Sequence, residues 1–167
     1  GSAVVGKTLT AKPGAWKPSS KLAYQWYAGG AKIKGATKST FKITSKQKGK
    51  KITVKVTGTK AGYTTVTKTS KATAKVVSAF TKAPTPKITG TAKVGKKLTA
   101  KPGTWKPSGV KVSYQWLRSG KAIKGATKPS YKLTSKDKRK KITVKVTGKK
   151  AGYASKSVVS KATKKVG

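Results

Sequence analysis

General acid–base catalysis needs groups that titrate near neutrality, and this chain carries a single carboxylate side chain, Asp137, with no glutamate, histidine or cysteine. A carboxylate pair is therefore impossible. Zinc and calcium sites fail for the same reason, since they take several His, Cys, Asp or Glu ligands. Serines and lysines abound, but no lysine stands in an apolar run where its pKa would fall and make it a base for a neighbouring serine. The chain reads as a non-enzyme with no cofactor, no metal and no small-molecule substrate.

What remains is positive charge. Forty-two Lys and Arg residues stand against the one acid, for a formal charge of +41 in 167 residues. A surface built only for solubility mixes both signs, whereas here one sign is missing. Such a field accelerates encounters with anions. The expected partners are polyanions: DNA or RNA, sulfated or phosphorylated glycans and wall polymers, or an anionic lipid surface.

The charge is densest in two runs, Lys46, Lys48, Lys50, Lys51 and Lys136, Lys138, Arg139, Lys140, Lys141, each just before an alternating apolar segment. Lys55 and Lys145 lie within those segments, and Lys60, Lys149 and Lys150 follow them. Outward positions on a strand recur about every 6.6 Å, so lysines there line up in rows that track a phosphate or sulfate chain without reading sequence.

Trp16 and Trp105 lie in Pro-Gly-x-Trp-Lys-Pro. An aromatic among lysines resembles a stacking platform for single-stranded nucleic acid. The competing reading, which the loop context favours, is a tryptophan closing the end of a sandwich with a lysine ammonium over its ring. Asp137, inside Ser135-Lys136-Asp137-Lys138-Arg139, reads as a corner residue making local backbone hydrogen bonds rather than as a ligand.

The elements that must position these groups follow from a repeat. Val5-Gly6-Lys7-Thr8-Leu9-Thr10-Ala11-Lys12-Pro13-Gly14 returns as Val94-Gly95-Lys96-Lys97-Leu98-Thr99-Ala100-Lys101-Pro102-Gly103. Lys51-Ile52-Thr53-Val54-Lys55-Val56-Thr57-Gly58 returns as Lys141-Ile142-Thr143-Val144-Lys145-Val146-Thr147-Gly148. A period of about 90 residues exceeds any solenoid unit and fits a duplicated domain with its own core.

Within each copy the apolar period is two. Val112, Tyr114 and Trp116 share one face; so do Ile142, Val144 and Val146, Tyr131 and Leu133, and Leu98 and Ala100. The same parity holds for Leu22, Tyr24 and Trp26, for Phe41 and Ile43, and for Ile52, Val54 and Val56. Pro-Gly, Gly29-Gly30, Ser119-Gly120 and Ala151-Gly152 punctuate these runs. The expected fold is all-β, two tandem antiparallel sandwiches without disulfides. Their bounds are residues 1–77 and 87–167, joined by a proline-containing linker over 78–86.

The Tyr-Gln-Trp strand, the Tyr131-Lys132-Leu133-Thr134 strand, the Asp137 corner and the Lys-Ile-Thr-Val-Lys-Val-Thr-Gly strand resemble bacterial immunoglobulin-like repeats. Such repeats occur in tandem on secreted and cell-surface proteins, particularly of actinobacteria. The resemblance implies immunoglobulin-like sandwiches with Trp26 and Trp116 as core tryptophans, an extracellular or cell-wall setting, and no enzyme.

Three departures stand out. The first copy has no counterpart to Pro86-Lys87-Ile88-Thr89, Gln47 stands where the second copy has Asp137, and Gly49 stands where it has Arg139. The chain starts at Gly1-Ser2, which reads as a fragment or a processed or tagged chain, and no apolar run reaches the length of a membrane span.

Three roles compete: a monomeric polyanion-binding module pair, a passive spacer or adhesin stalk in a larger surface protein, and an engineered supercharged scaffold. Charge reversal in the lysine runs separates the first from the second.

Overall fold

Isoleucine and valine on one parity, lysine and threonine on the other, give a segment one side that seeks a core and one that tolerates water. The computed structural model describes residues Gly1–Gly167 and forms strands from these segments. The first half contains β1 (Thr8–Thr10), β2 (Lys21–Ala28), β3 (Ala31–Lys32), β4 (Thr40–Lys42), β5 (Ile52–Thr59) and β6 (Val66–Thr69). The second contains β7 (Lys87–Thr89), β8 (Lys97–Lys101), β9 (Lys111–Arg118), β10 (Lys121–Ala122), β11 (Ser130–Lys132), β12 (Ile142–Lys149) and β13 (Lys156–Val159). The chain divides into two units, Gly1–Ala79 and Phe80–Gly167.

Each unit has one four-stranded sheet, ordered β3-β2-β5-β6 in the first and β10-β9-β12-β13 in the second. A smaller sheet closes the core, β1-β4 in the first unit and β11-β8-β7 in the second. Pairing within the sheets is antiparallel throughout, and no cysteine is present to staple them. Each unit is an immunoglobulin-like β-sandwich, with the inward residues of both sheets interleaved between them.

The expected parity is the observed one. Trp116, Leu98, Leu133, Ile142, Val144 and Val146 are fully buried in the second core, and Leu9, Trp26, Ile43, Ile52, Val54 and Val56 are buried in the first. A buried indole must place its N–H: Trp26 Nε1 donates to the Lys38 carbonyl and Trp116 Nε1 to that of Lys128, both at 2.9 Å. Gln25 and Gln115, which alternation alone places outward, are half-buried. Their amides reach the carbonyls of Ile33 and Ile123 at 2.8 Å and lock the short hairpins β2–β3 and β9–β10.

The sandwiches differ at one edge. β8 pairs with β11 on one side and β7 on the other, whereas β1 pairs only with β4. With no outer partner, β1 stops at Thr10, while its counterpart runs on to Lys101. The stretch 78–86, expected as an extended, semi-stiff linker, belongs to the second unit from Phe80 onward and packs onto it. Phe80 stacks on Tyr153 and meets Trp105 edge-on, each at 5.5 Å between centroids. Thr81 and Lys82 bond to the backbone of Lys106, and Pro86 is buried. The proline-rich stretch is extended, as its composition requires, but it runs directly into β7 and covers the sandwich edge.

Candidate functional site

The densest lysine runs sit on a rigid corner present in both units. Thr44 and Thr134 adopt extended backbone and lead into single 3-10 turns, Ser45–Gln47 and Ser135–Asp137. The third residue of each turn points inward: Gln47 is buried and Asp137 has no exposed surface. Gln47 Oε1 accepts from the Thr44 N–H at 2.9 Å and the Thr44 hydroxyl at 2.8 Å.

Past the turn, the N–H of Gly49 donates to the Val76 carbonyl at 2.8 Å and that of Arg139 to the Val166 carbonyl at 2.7 Å. Val76 and Val166 return bonds to Lys50 and Lys140. Turning every few residues to an inward anchor leaves the intervening side chains outward. Lys46, Lys48, Lys50, Lys51, Lys136, Lys138, Arg139, Lys140 and Lys141 are all exposed. Holding the backbone removes part of the entropy that binding would otherwise cost.

In the second unit the anchor is an ion pair. Asp137 Oδ1 accepts from Arg118 Nε at 2.6 Å, while Oδ2 accepts from the Tyr131 hydroxyl at 2.9 Å, the Thr134 N–H at 2.7 Å and the Thr134 hydroxyl at 2.9 Å. Burial alone would raise the carboxyl pKa. The donors from Thr134, Arg118 and Tyr131 outweigh it and hold Asp137 below the usual carboxylate range. Burial, then the bond to Asp137, pushes the Tyr131 hydroxyl upward.

The corner expected for Asp137 is present, but its partners extend beyond local backbone to two side chains on other strands. Pairing places Arg118, the last residue of β9, opposite Ile142 at the start of β12, which brings its guanidinium back to the corner. The first unit has Ala28, Phe41 and Gln47 at the three corresponding positions. That coordinated change between aligned copies was the available signal for the triad.

The remaining basic residues do not join this patch. Lys60, Lys149 and Lys150 lie at the far ends of β5 and β12, about 30 Å along the strand from Lys51 or Lys141; Lys150 is half-buried. Lys55 and Lys145 are exposed between the two ends. Thr53 and Thr143 interrupt each row, so its lysines fall about 13 Å apart. Lys145 faces Gln115 and Val159 on the neighbouring strands, and Lys55 faces Gln25 and Thr69. Lys55 also lies over the Tyr27 ring at 5.1 Å.

Trp105 is corrected as a stacking candidate: Phe80 and the Gly148 backbone cover its ring, leaving it 6% exposed. Its Nε1 is buried without a partner, a deficit of about 1–3 kcal/mol. Trp16 is half-buried, donates from Nε1 to the Pro13 carbonyl at 3.3 Å, and carries Lys68 Nζ 5.1 Å above its ring.

No protein-family model matches the chain, and no curated protein matches it. Among solved structures, the chain is similar to one described as tandem Ig repeats of Dlar. That likeness covers 95% of this chain and 88% of the other, with 13% identity and a TM-score of 0.28.

Proposed function

We propose that the chain is a non-enzymatic polyanion-binding module pair of an extracellular or wall-associated protein, engaging nucleic acid, anionic glycans or anionic lipid through its two lysine corners. One observation carries the reading: the sole acidic side chain is buried and paired with Arg118, so no carboxylate side chain neutralises the exposed corner clusters. Each corner presents four or five cations on a backbone fixed from behind. Their spacing carries no base-reading geometry, so affinity comes from counterion release and falls steeply with salt.

The test is a salt-titrated panel of DNA duplex, heparin-like glycan, teichoic acid and anionic vesicles. Neutralising about 6–10 phosphates should weaken DNA binding by about 10³–10⁵ between 50 and 200 mM salt. Changing Lys46, Lys48, Lys50 and Lys51 to Glu should flatten that slope. Affinity independent of salt argues for a shaped pocket instead, and activity of the parent protein left intact by this reversal favours the passive spacer.

A further inference from the structure

The two units differ at the end of the large sheet away from the lysine corners. In the second unit the β9–β12 ladder closes on Lys111 opposite Lys149, both exposed. Directly opposed residues on antiparallel strands stand about 4.5–5.5 Å apart at Cβ, where like charges cost stability. The first unit ends the same ladder on Lys21 opposite Thr59, whose hydroxyl donates to the Lys21 carbonyl at 3.5 Å. No like-charge pair forms there.

A loop difference accompanies the charge. Ser108-Gly109-Val110 precedes Lys111 where Ser19-Ser20 precedes Lys21. Val110 packs against the core, and Gly109 takes the left-handed region at φ 73°. Beside it Lys150 is half-buried, and a Cβ on Gly109 would come 3.1 Å from Lys150 Nζ. The Tyr153 N–H donates to the Lys150 carbonyl at 3.1 Å, which fixes the backbone from which that ammonium reaches back.

These residues enclose a cleft of about 460 Å³ lined by Gly109, Lys111, Lys149, Lys150, Ala151 and Ser155. Three ammonium groups and a hydroxyl border it, and no carboxylate side chain does. The sole acidic side chain, Asp137, is buried with Arg118 before the start of β12. Cations gathered around a concavity without an internal counter-charge draw an anion from outside.

Size and charge narrow the class. The cleft falls in the range of small-molecule sites, so it has room for more than a bare oxyanion. Three cations match a dianion better than a monoanion. A phosphate monoester carries about −1.5 to −2 at pH 7, whereas a sulfate ester or a phosphodiester carries a single charge.

We infer that the second unit holds a discrete site for a phosphomonoester on a sugar-sized group, with Lys111, Lys149 and Lys150 on the phosphoryl oxygens and the Ser155 hydroxyl donating beside them. Charge-assisted bonds from ammonium to phosphate supply the affinity. The site is distinct from the lysine corners and stands whether or not polyanions bind there.

The test titrates the intact ¹⁵N-labelled chain with glucose 6-phosphate in 150 mM salt. The expected result is saturable amide shifts at Gly109, Lys111, Lys149, Lys150 and Ser155, without matching shifts at Lys21, Thr59 and Lys60. Glucose 6-sulfate has the same body and less charge, and should bind about tenfold more weakly. Inorganic phosphate, which leaves most of the cleft empty, should also bind more weakly than the ester.

Lys149→Thr restores the first unit's residue and removes the opposition to Lys111, so it should keep the fold while weakening glucose 6-phosphate about tenfold. Changing Lys46, Lys48, Lys50 and Lys51 to Glu should leave the ester's affinity within about twofold, since the Debye length is about 8 Å at this salt. Loss of corner binding and loss of this site are thereby read separately. Equal binding of ester and sulfate, equal shifts in the two units, or unchanged affinity in Lys149→Thr overturns the inference. So does inorganic phosphate binding as tightly as the ester, or no shift around the cleft at millimolar ester.

Discussion

Arg118 Nε lies 2.6 Å from Asp137 Oδ1, joining the end of β9 to the corner before β12, and the first unit places Ala28 and Gln47 at the same two positions. One duplicated backbone thus holds its corner with a charge-assisted bond in one copy and a neutral amide in the other.

Acid should separate the two units. Asp137 is held below its ordinary range in the folded state, so its contribution to stability is present above about pH 4 and is lost as pH falls through its folded pKa. The first unit has no acidic side chain and makes no such contribution. Between pH 5 and 2 the Trp116 indole resonance should lose its native position while that of Trp26 keeps it.

Removing the anion strands its partners. Asp137→Gln should cost about 3 kcal/mol of second-unit stability, because Arg118 and the Tyr131 hydroxyl lose their acceptor in a mostly buried site. Combining it with Arg118→Ala and Tyr131→Phe recreates the first unit's set and should recover part of the loss. Urea denaturation of the single and triple variants checks the sign of that coupling.

Arg139 occupies the left-handed region at φ 61°, where the first unit has Gly49 at φ 79°. A side chain there costs about 1 kcal/mol, so Arg139→Gly should stabilise the second unit by about 0.5–1 kcal/mol and lower the salt dependence of polyanion binding. Calorimetry and binding measurements on that variant should move in opposite directions.

Repulsion among the lysines is relieved by screening. Raising ionic strength from 0.01 to 0.15 M shortens the Debye length from about 30 to 8 Å. Both units should melt several degrees higher, since about 1 kcal/mol corresponds to 4–8 °C for domains of this size. A melting temperature that stays flat over this range means the charges are too dispersed to affect folding.

Gly58 and Gly148 let the tryptophan rings lie on the strand backbone: a Cβ at either position would come 2.5 Å from the Trp16 or Trp105 ring. Gly148→Ala should cost about 2 kcal/mol or more by overpacking a sealed site. Gly58→Ala should cost less, because Trp16 borders open clefts into which it can shift. Denaturation followed by tryptophan fluorescence distinguishes the two.

Much of this architecture is legible in the residues. Trp116, Ile142, Val144 and Val146 declare their face by simple alternation, and the repeat assigns the same face to Trp26, Ile52, Val54 and Val56. The lysine runs likewise announce an exposed corner. Arg118 is different, since its approach to Asp137 depends on strand register across nineteen residues, which no local pattern reveals. Phe80 stands out in the linker as an aromatic able to pack, but its partners Trp105 and Tyr153 come from segments distant in sequence that no local pattern names. Gln115 looks like a solvated alternate residue until the β9–β10 hairpin folds its carbonyls within reach.

The corner is built twice along one chain, so on the proposed reading a polyanion long enough to reach both copies would meet two sites. Linking two sites in one chain makes the second binding event intramolecular. Avidity should then appear as a threshold in chain length, with oligomers below it treating the protein as two independent weak sites.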